Sequence, residues 1–104
     1  MDISIIIPVY NSENILLKLI EDIVFQLNKK NSKSKYEIIL VNDFSIDNSW
    51  QLIKDLSLKY SVIKGLNLLK NYGQHNAIMA GLNECCGNKI ITMDDDYQHP
   101  PSEL

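Results

Sequence analysis

The sequence is poor in cysteine and has no basic tract. Its two cysteines, Cys85 and Cys86, are adjacent. They lack the C-x-x-C spacing of a metal site, and neighbouring cysteines rarely bond each other. A disulfide framework and a zinc site are therefore excluded, and reduced thiols fit a cytoplasmic protein. Lys29, Lys30, Lys33 and Lys35 are interleaved with Asn and Ser, which reads as a solvated loop. With a formal net charge of -3, no face is basic enough to follow a phosphate backbone, so nucleic acid is not the expected partner. No basic segment leads into an apolar one at the start, as a signal peptide would require. No apolar run approaches the ~20 residues of a membrane span. Internal repeats, low-complexity tracts and linkers are also missing.

What is present is a globular composition, 45% hydrophobic and 22% charged over 104 residues. That length predicts one domain with a small core. Ile3-Ser4-Ile5-Ile6-Ile7-Pro8-Val9-Tyr10 is a nearly continuous β-branched run, the pattern of a strand buried on both faces. Pro8, without an N–H, is expected to end its pairing. Asn11 and Ser12 read as helix caps, with Glu13 in the first turn. Leu16, Leu19, Ile20, Ile23, Val24 and Leu27 then repeat at helical spacing. A second buried strand is predicted at 36–41. The polar turn at 42–49 leads to a helix with Trp50, Ile53, Leu56 and Tyr60 on one face. A weaker strand at 62–67 carries Lys64 and Gly65, which suggests an edge. The last helix, over 74–86, turns Ala77, Ile78, Gly81, Leu82 and Cys85 inward, and Gly87 suits a left-handed cap. A fourth strand follows at 90–93.

The alternation βαβαβαβ predicts an α/β fold, a Rossmann-like parallel sheet with helices on both faces and strand order 3-2-1-4. Strand order reverses between strands one and four, so a ligand crevice should open at their carboxyl ends. Residues 8–12 would then face residues 94–98, with 42–47 alongside.

Asp94, Asp95 and Asp96 leave the fourth strand together. In extended backbone Asp94 and Asp96 share one side, roughly 7 Å apart. Two like charges there repel by about 2 kcal/mol at an effective dielectric near 20. A divalent cation reverses that sign, and Mg²⁺ or Mn²⁺ takes such oxygen ligands together with phosphates. A solvated acidic turn is the plainer alternative. Tyr10 offers a ring on which a base could stack. Asp43 could accept a base N–H, or simply form the turn. Lys70 and the helix start near Gly73 could receive a phosphate. His75 and His99 read as surface residues before they read as catalytic bases.

Four stretches together resemble the inverting family-2 glycosyltransferases of the GT-A fold. The resemblance is closest to the dolichol- and polyprenyl-phosphate mannosyltransferase-like synthases. Ile-Ile-Ile-Pro8-Val-Tyr10-Asn11-Ser-Glu13 resembles the opening motif. Val41-Asn42-Asp43-Phe44-Ser45-Ile46-Asp47 is similar to V-D-D-G-S-x-D, with Asn42 for the first Asp and Phe44 for the Gly. Asn71-Tyr72-Gly73-Gln74, followed by Ala77 and Gly81, resembles the family's N-x-G-x-x-x-A-x-x-x-G segment. Met93-Asp94-Asp95-Asp96-Tyr97-Gln98-His99-Pro100-Pro101 is similar to M-D-A-D-L-Q-H-P-P, with Asp95 in the Ala position.

The resemblance implies that Pro8, Tyr10, Glu13, Asp43 and Asp94 contact the nucleotide. It implies that Asp96 and Gln98, with Asp94 as a further candidate, hold Mg²⁺ or Mn²⁺ at the diphosphate. It implies a UDP- or GDP-type sugar as donor and a polyprenyl phosphate or a glycan as acceptor, with inversion at the sugar. No catalytic residue is assigned within the chain. The chain is expected to be the amino-terminal part of a longer enzyme working at the cytoplasmic face of a membrane. As it stands it would bind donor without turnover, and its fourth strand would leave an edge that invites self-association. Three other readings are weighed against this one. A receiver-type phospho-acceptor would need acids after the first strand. A sugar nucleotidyltransferase would need a Gly-rich basic loop there. An inert binding or interaction module stays open.

Overall fold

The structure, a computed structural model, describes residues 2–30, 35–68 and 74–93, without the side chains of Lys30, Gln74 and His75. The elements are β1 (Ile3–Val9), α1 (Leu16–Lys30), β2 (Tyr36–Asp43), α2 (Ser49–Lys59), β3 (Ile63–Leu68), α3 (Gln74–Glu84) and β4 (Lys89–Thr92). The strands form one parallel sheet in the order β3-β2-β1-β4, as the alternation predicts.

The two-residue period of a strand divides each apolar run between two layers. Ile5, Ile7 and Val9 of β1, with Ile38 and Leu40 of β2, face Leu16, Leu19, Ile20, Ile23 and Leu27 of α1 and Ile53 and Leu56 of α2. Ile6, Ile39 and Val41 face the other way, against Ala77 of α3. Two glycines set how closely helices approach. A Cβ on Gly81 would stand 2.5 Å from Ile6 Cγ2, and one on Gly65 would stand 2.6 Å from Ile53 Cγ2. Gly65 thus lies on an edge strand but is required there by the packing of α2.

Four expectations are corrected. Pro8 does not end β1: it pairs with Val41, and the ladder to β2 continues to Val9 and Asn42. The Asp2 and Ile6 carbonyls accept the N–H groups of Lys89 and Met93, both at 3.0 Å. Even-numbered residues of β1 therefore face β4, and on that side pairing with β4 ends at Ile6 with Thr92. The missing N–H of Pro8 falls where the β4 ladder has already stopped. Helix α1 starts later than the cap signals suggest, and its first turn holds no acid. Ser12 contributes through its carbonyl, which accepts the Leu16 N–H at 2.9 Å, while its hydroxyl donates to the Tyr10 carbonyl at 3.1 Å. Helix α3 ends at Glu84, before the cysteines. Gly87 is not left-handed; glycine is needed because a Cβ would stand 2.5 Å from the Ser4 amide nitrogen.

That last contact belongs to a knot at the amino-terminal edge of the sheet. Ser4 and Glu37 are register partners, and both are fully buried. Ser4 Oγ donates to Glu37 Oε2 at 2.6 Å and accepts the Gly87 N–H at 2.7 Å. The Cys86 N–H reaches the same Oε2 at 2.6 Å, and Lys64 Nζ lies 2.9 Å from Oε1. Burial alone would raise the pKa of Glu37. The Ser4 hydroxyl, the Lys64 ammonium and the Cys86 amide outweigh it and hold the carboxyl down at about 2. Hydrogen bonding to Glu37 in turn raises Lys64 above its usual value.

Candidate functional site

Because β1 and β2 are parallel and paired to Val9 and Asn42, both chains leave the sheet at the same edge. Their two turns are then bonded to each other. The Asn11 N–H donates to Ser45 Oγ at 3.0 Å, and the Ile46 N–H returns to Asn11 Oδ1 at 2.9 Å. The Ser12 N–H donates to Ser49 Oγ at 2.7 Å. Asp47 accepts the Glu13 N–H on Oδ2 at 3.1 Å and the Ser49 N–H on Oδ1 at 2.9 Å. Burial would raise the Asp47 carboxyl, but the Ser49 hydroxyl and amide and the Glu13 amide lower it below the usual carboxylate value. Asp47 thus performs the capping work at the start of α2, where Asn48 makes no side-chain cap bond, and also anchors the other turn.

Two residues of these turns have left-handed backbone: Asn11 at φ 51° and Phe44 at φ 55°. Asn tolerates that region, whereas a bulky residue there costs about 1–2 kcal/mol. Position 44 is where the resembling family carries Gly, and the backbone explains why. Phe44 holds its ring half out in solvent, 51% exposed.

Of the residues expected at the site, Pro8 is buried in β1. Tyr10 stands at the end of that strand, 50% exposed. Glu13 is half-buried in the turn, held by Asp47. Asp43, the last residue of β2, is 4% exposed; strand alternation puts it on the α3 side with Val41. Met93 is buried, and its N–H is held by Ile6. Asp94, Asp96 and Gln98 follow it in sequence but lie outside the described residues, as do Lys70, Gly73, His99 and the His75 side chain. The parallel pairing of β1 and β2 brings two of the three expected turns together.

The sequence reading missed three things at this edge. It gave Asp47 no role beyond the polar turn at 42–49, although its position two before Ser49 was a turn signal. It gave Asn11 a cap role, when its side chain spans to the next turn. It also missed a cavity of about 200 Å³ between the ends of β2 and β3, lined by Asn42, Phe44, Ser45, Trp50, Asn67 and Leu68. There Asn42, 2% exposed, donates from Nδ2 to Asn67 Oδ1 at 2.8 Å, while its own Oδ1 has no hydrogen-bond partner among the described residues. Among the described residues no helix is long and apolar enough to cross a membrane.

Comparison with known proteins agrees with this layout. An undecaprenyl-phosphate 4-deoxy-4-formamido-L-arabinose transferase of Yersinia enterocolitica (serotype O:8 / biotype 1B) is 47% identical over 103 residues, 98% of this chain and 31% of that protein. The chain spans about a third of the length of the curated relatives it matches. Residues 1–349 of S. aureus TarS superpose with a TM-score of 0.77 at 28% identity, over 92% of this chain and 28% of that one, and TarS has also been solved with UDP. The mannosyltransferase PcManGT of Pyrobaculum calidifontis, solved with GDP-Man and Mn²⁺, shares the fold at 16% identity and a TM-score of 0.78, over 90% of this chain and 27% of that one. The sheet order and its helices are those of the GT-A glycosyltransferases. Residues 4–104 match Glycosyl transferase family 2, and with nearly every residue inside that match, the chain belongs to this family.

Proposed function

We propose that this chain is the donor-binding part of an enzyme that moves a sugar, with inversion, from a UDP- or GDP-type nucleotide to a polyprenyl phosphate. The observation that carries this reading is the bonded pair of turns after β1 and β2. It sets Tyr10, Glu13 and Asp43 at the edge of the sheet from which β4 leads into the acidic run. The undecaprenyl-phosphate relatives and the UDP complex of TarS support the choice of acceptor and donor.

In this reading the Tyr10 ring faces the base and Asp43 accepts its N–H, while Pro8 and Glu13 wall the nucleotide pocket. The donor set fits a hard cation: carboxylates and a carboxamide are the oxygen ligands that Mg²⁺ and Mn²⁺ take. Asp96 and Gln98 would hold it, with Asp94 as a further ligand. Among the described residues no cluster of acids, His or Cys competes for it. When bound, such an ion offsets the negative charge that develops on the departing diphosphate. A polyprenyl phosphate is already an anion, so its attack on the sugar needs no strong base from these residues. This 104-residue chain would bind donor without turning it over. Its β4 edge, with Ile90 44% exposed, would pair with a second copy at high concentration, which light scattering reads directly.

Calorimetric titration of UDP and GDP with and without Mn²⁺ tests the reading. Binding should require the metal, and Asp96→Ala should abolish that requirement together with most of the affinity. Equal binding in chelator, or an unchanged titration for Asp96→Ala, would overturn it.

A further inference from the structure

The two turns are bonded in a lopsided way. Three consecutive amides of the first turn, those of Asn11, Ser12 and Glu13, each donate to a side chain of the second: Ser45, Ser49 and Asp47. Successive turn amides can gather an anion from outside, but these are spent within the protein. One bond returns, from the Ile46 N–H to Asn11 Oδ1. The middle of the seam is closed to water: Ser12 is 4% exposed and Ser49 is fully buried. Ser49 Oγ takes the Ser12 N–H and gives its own proton to Asp47, which also accepts the Ser49 and Glu13 amides. Asp47 thereby orients the hydroxyl that holds Ser12, and the Ser12 hydroxyl in turn holds the Tyr10 carbonyl. The backbone from Tyr10 to Glu13 lies between β1 and α1, and side chains of another turn set its path.

We propose that Asp47, seconded by Asn11, is a positioning residue for donor binding: it does not touch the nucleotide, but holds Tyr10 and Glu13 in the conformation that receives it. A wall fixed in advance spares binding the cost of ordering a loop. The residues that do the fixing belong to β2 and α2, so the pocket wall on β1 depends on its neighbour for its shape. This deepens the donor-binding reading above and rests on it, and the two can fail separately.

The test is titration of UDP, GDP and inorganic pyrophosphate, each with Mn²⁺, into the chain and into Asp47→Asn, Asn11→Gly and Glu37→Gln. Asp47→Asn keeps an acceptor for the Ser49 amide and cannot also answer the Glu13 N–H. Asn11→Gly keeps the left-handed backbone, which glycine adopts freely, and removes the acceptor of the Ile46 N–H. Each should weaken the nucleotide that the parent binds about fivefold and leave pyrophosphate unchanged. Glu37→Gln, at the opposite end of β2, should lower stability and leave nucleotide affinity unchanged. If Asp47→Asn and Asn11→Gly bind the nucleotide as the parent does, this inference fails and the donor reading stands. If Asp47→Asn tightens nucleotide and pyrophosphate alike, Asp47 acts only as a nearby negative charge and the inference fails. If Glu37→Gln weakens the nucleotide as much as Asp47→Asn, the effect is one of stability and the inference fails. If the parent chain binds neither nucleotide, both readings fail.

Discussion

Near its start β2 carries Glu37, and near its end Asn42. Both are buried, and they stand roughly 17 Å apart along the strand. Around Glu37 a hydroxyl and an amide meet one carboxylate oxygen, the Lys64 ammonium pairs with the other, and glycine is placed so that the chain can close over them. Around Asn42 an oxygen has no partner among the described residues, and the next turn is strained. One end of the sheet is finished as structure, while the other keeps unmet capacity at the edge where strand order reverses. An α/β fold has to be closed at one edge so that it can stay open at the other.

Breaking the closed end should cost most. Glu37→Ala removes the carboxylate and strands the Ser4 hydroxyl and the Cys86 amide, an expected loss of about 3 kcal/mol in urea unfolding. Acid should reproduce this without mutation. Glu37 titrates near 2 in the folded chain against an ordinary 4.5. The depressed value stabilises the fold above pH 4.5, and that stabilisation is lost as pH falls from there towards 2. The shift corresponds to about 3 kcal/mol across the window. Asp47 is lowered for its own reasons and adds loss in the same direction. Denaturation midpoints measured between pH 5 and 2.5 should fall steeply in the parent chain and less in Glu37→Gln.

At the open end the effects should be smaller. Asp47→Ala gives up two bonds to backbone amides, a cap-like loss of about 1–2 kcal/mol. Because those bonds join the two turns, amide exchange at Glu13 should quicken along with that at Ser49. Phe44→Gly is expected to leave stability within about 1 kcal/mol, since relief of left-handed strain offsets the extra freedom of unfolded glycine. Its change in unfolding free energy should add to that of Glu37→Gln, because the sites are too far apart to couple. A clearly destabilised Phe44→Gly would mean the ring packs as core, and the contrast between the ends would lose its basis.

Much of the fold was legible because it follows from periodicity. The β-branched runs and the spacing from Leu16 to Leu27 specified strands, helix and faces, and alternation specified the order of the sheet. What escaped depends on partners distant in sequence. Nothing local to Glu37 says that Ser4, Lys64 and Cys86 will meet it; the one available signal was a lone polar residue at the same place in two buried strands. Position 44 was visible as a departure from a Gly motif, but its backbone angle was not. Gly87 misled because a helix end and a close approach to β1 call for the same residue. That Tyr10 and Asp43 end neighbouring strands was legible from motif and topology, whereas the Asn42 cavity needs β3 beside β2 before it exists.

Pro8 has a consequence of a different kind. Parallel strands offer their hydrogen-bonding groups alternately left and right, so a proline silences one side only. On the β2 side the ladder runs on to Val9 and Asn42, and on the β4 side the position beyond Ile6 has no donor to give. The residue acts as a one-sided length gauge: it fixes how far the two central strands can zip together without shortening the neighbouring pair. A valine at that position would restore the donor, and with it the option of a longer seam between β1 and β4.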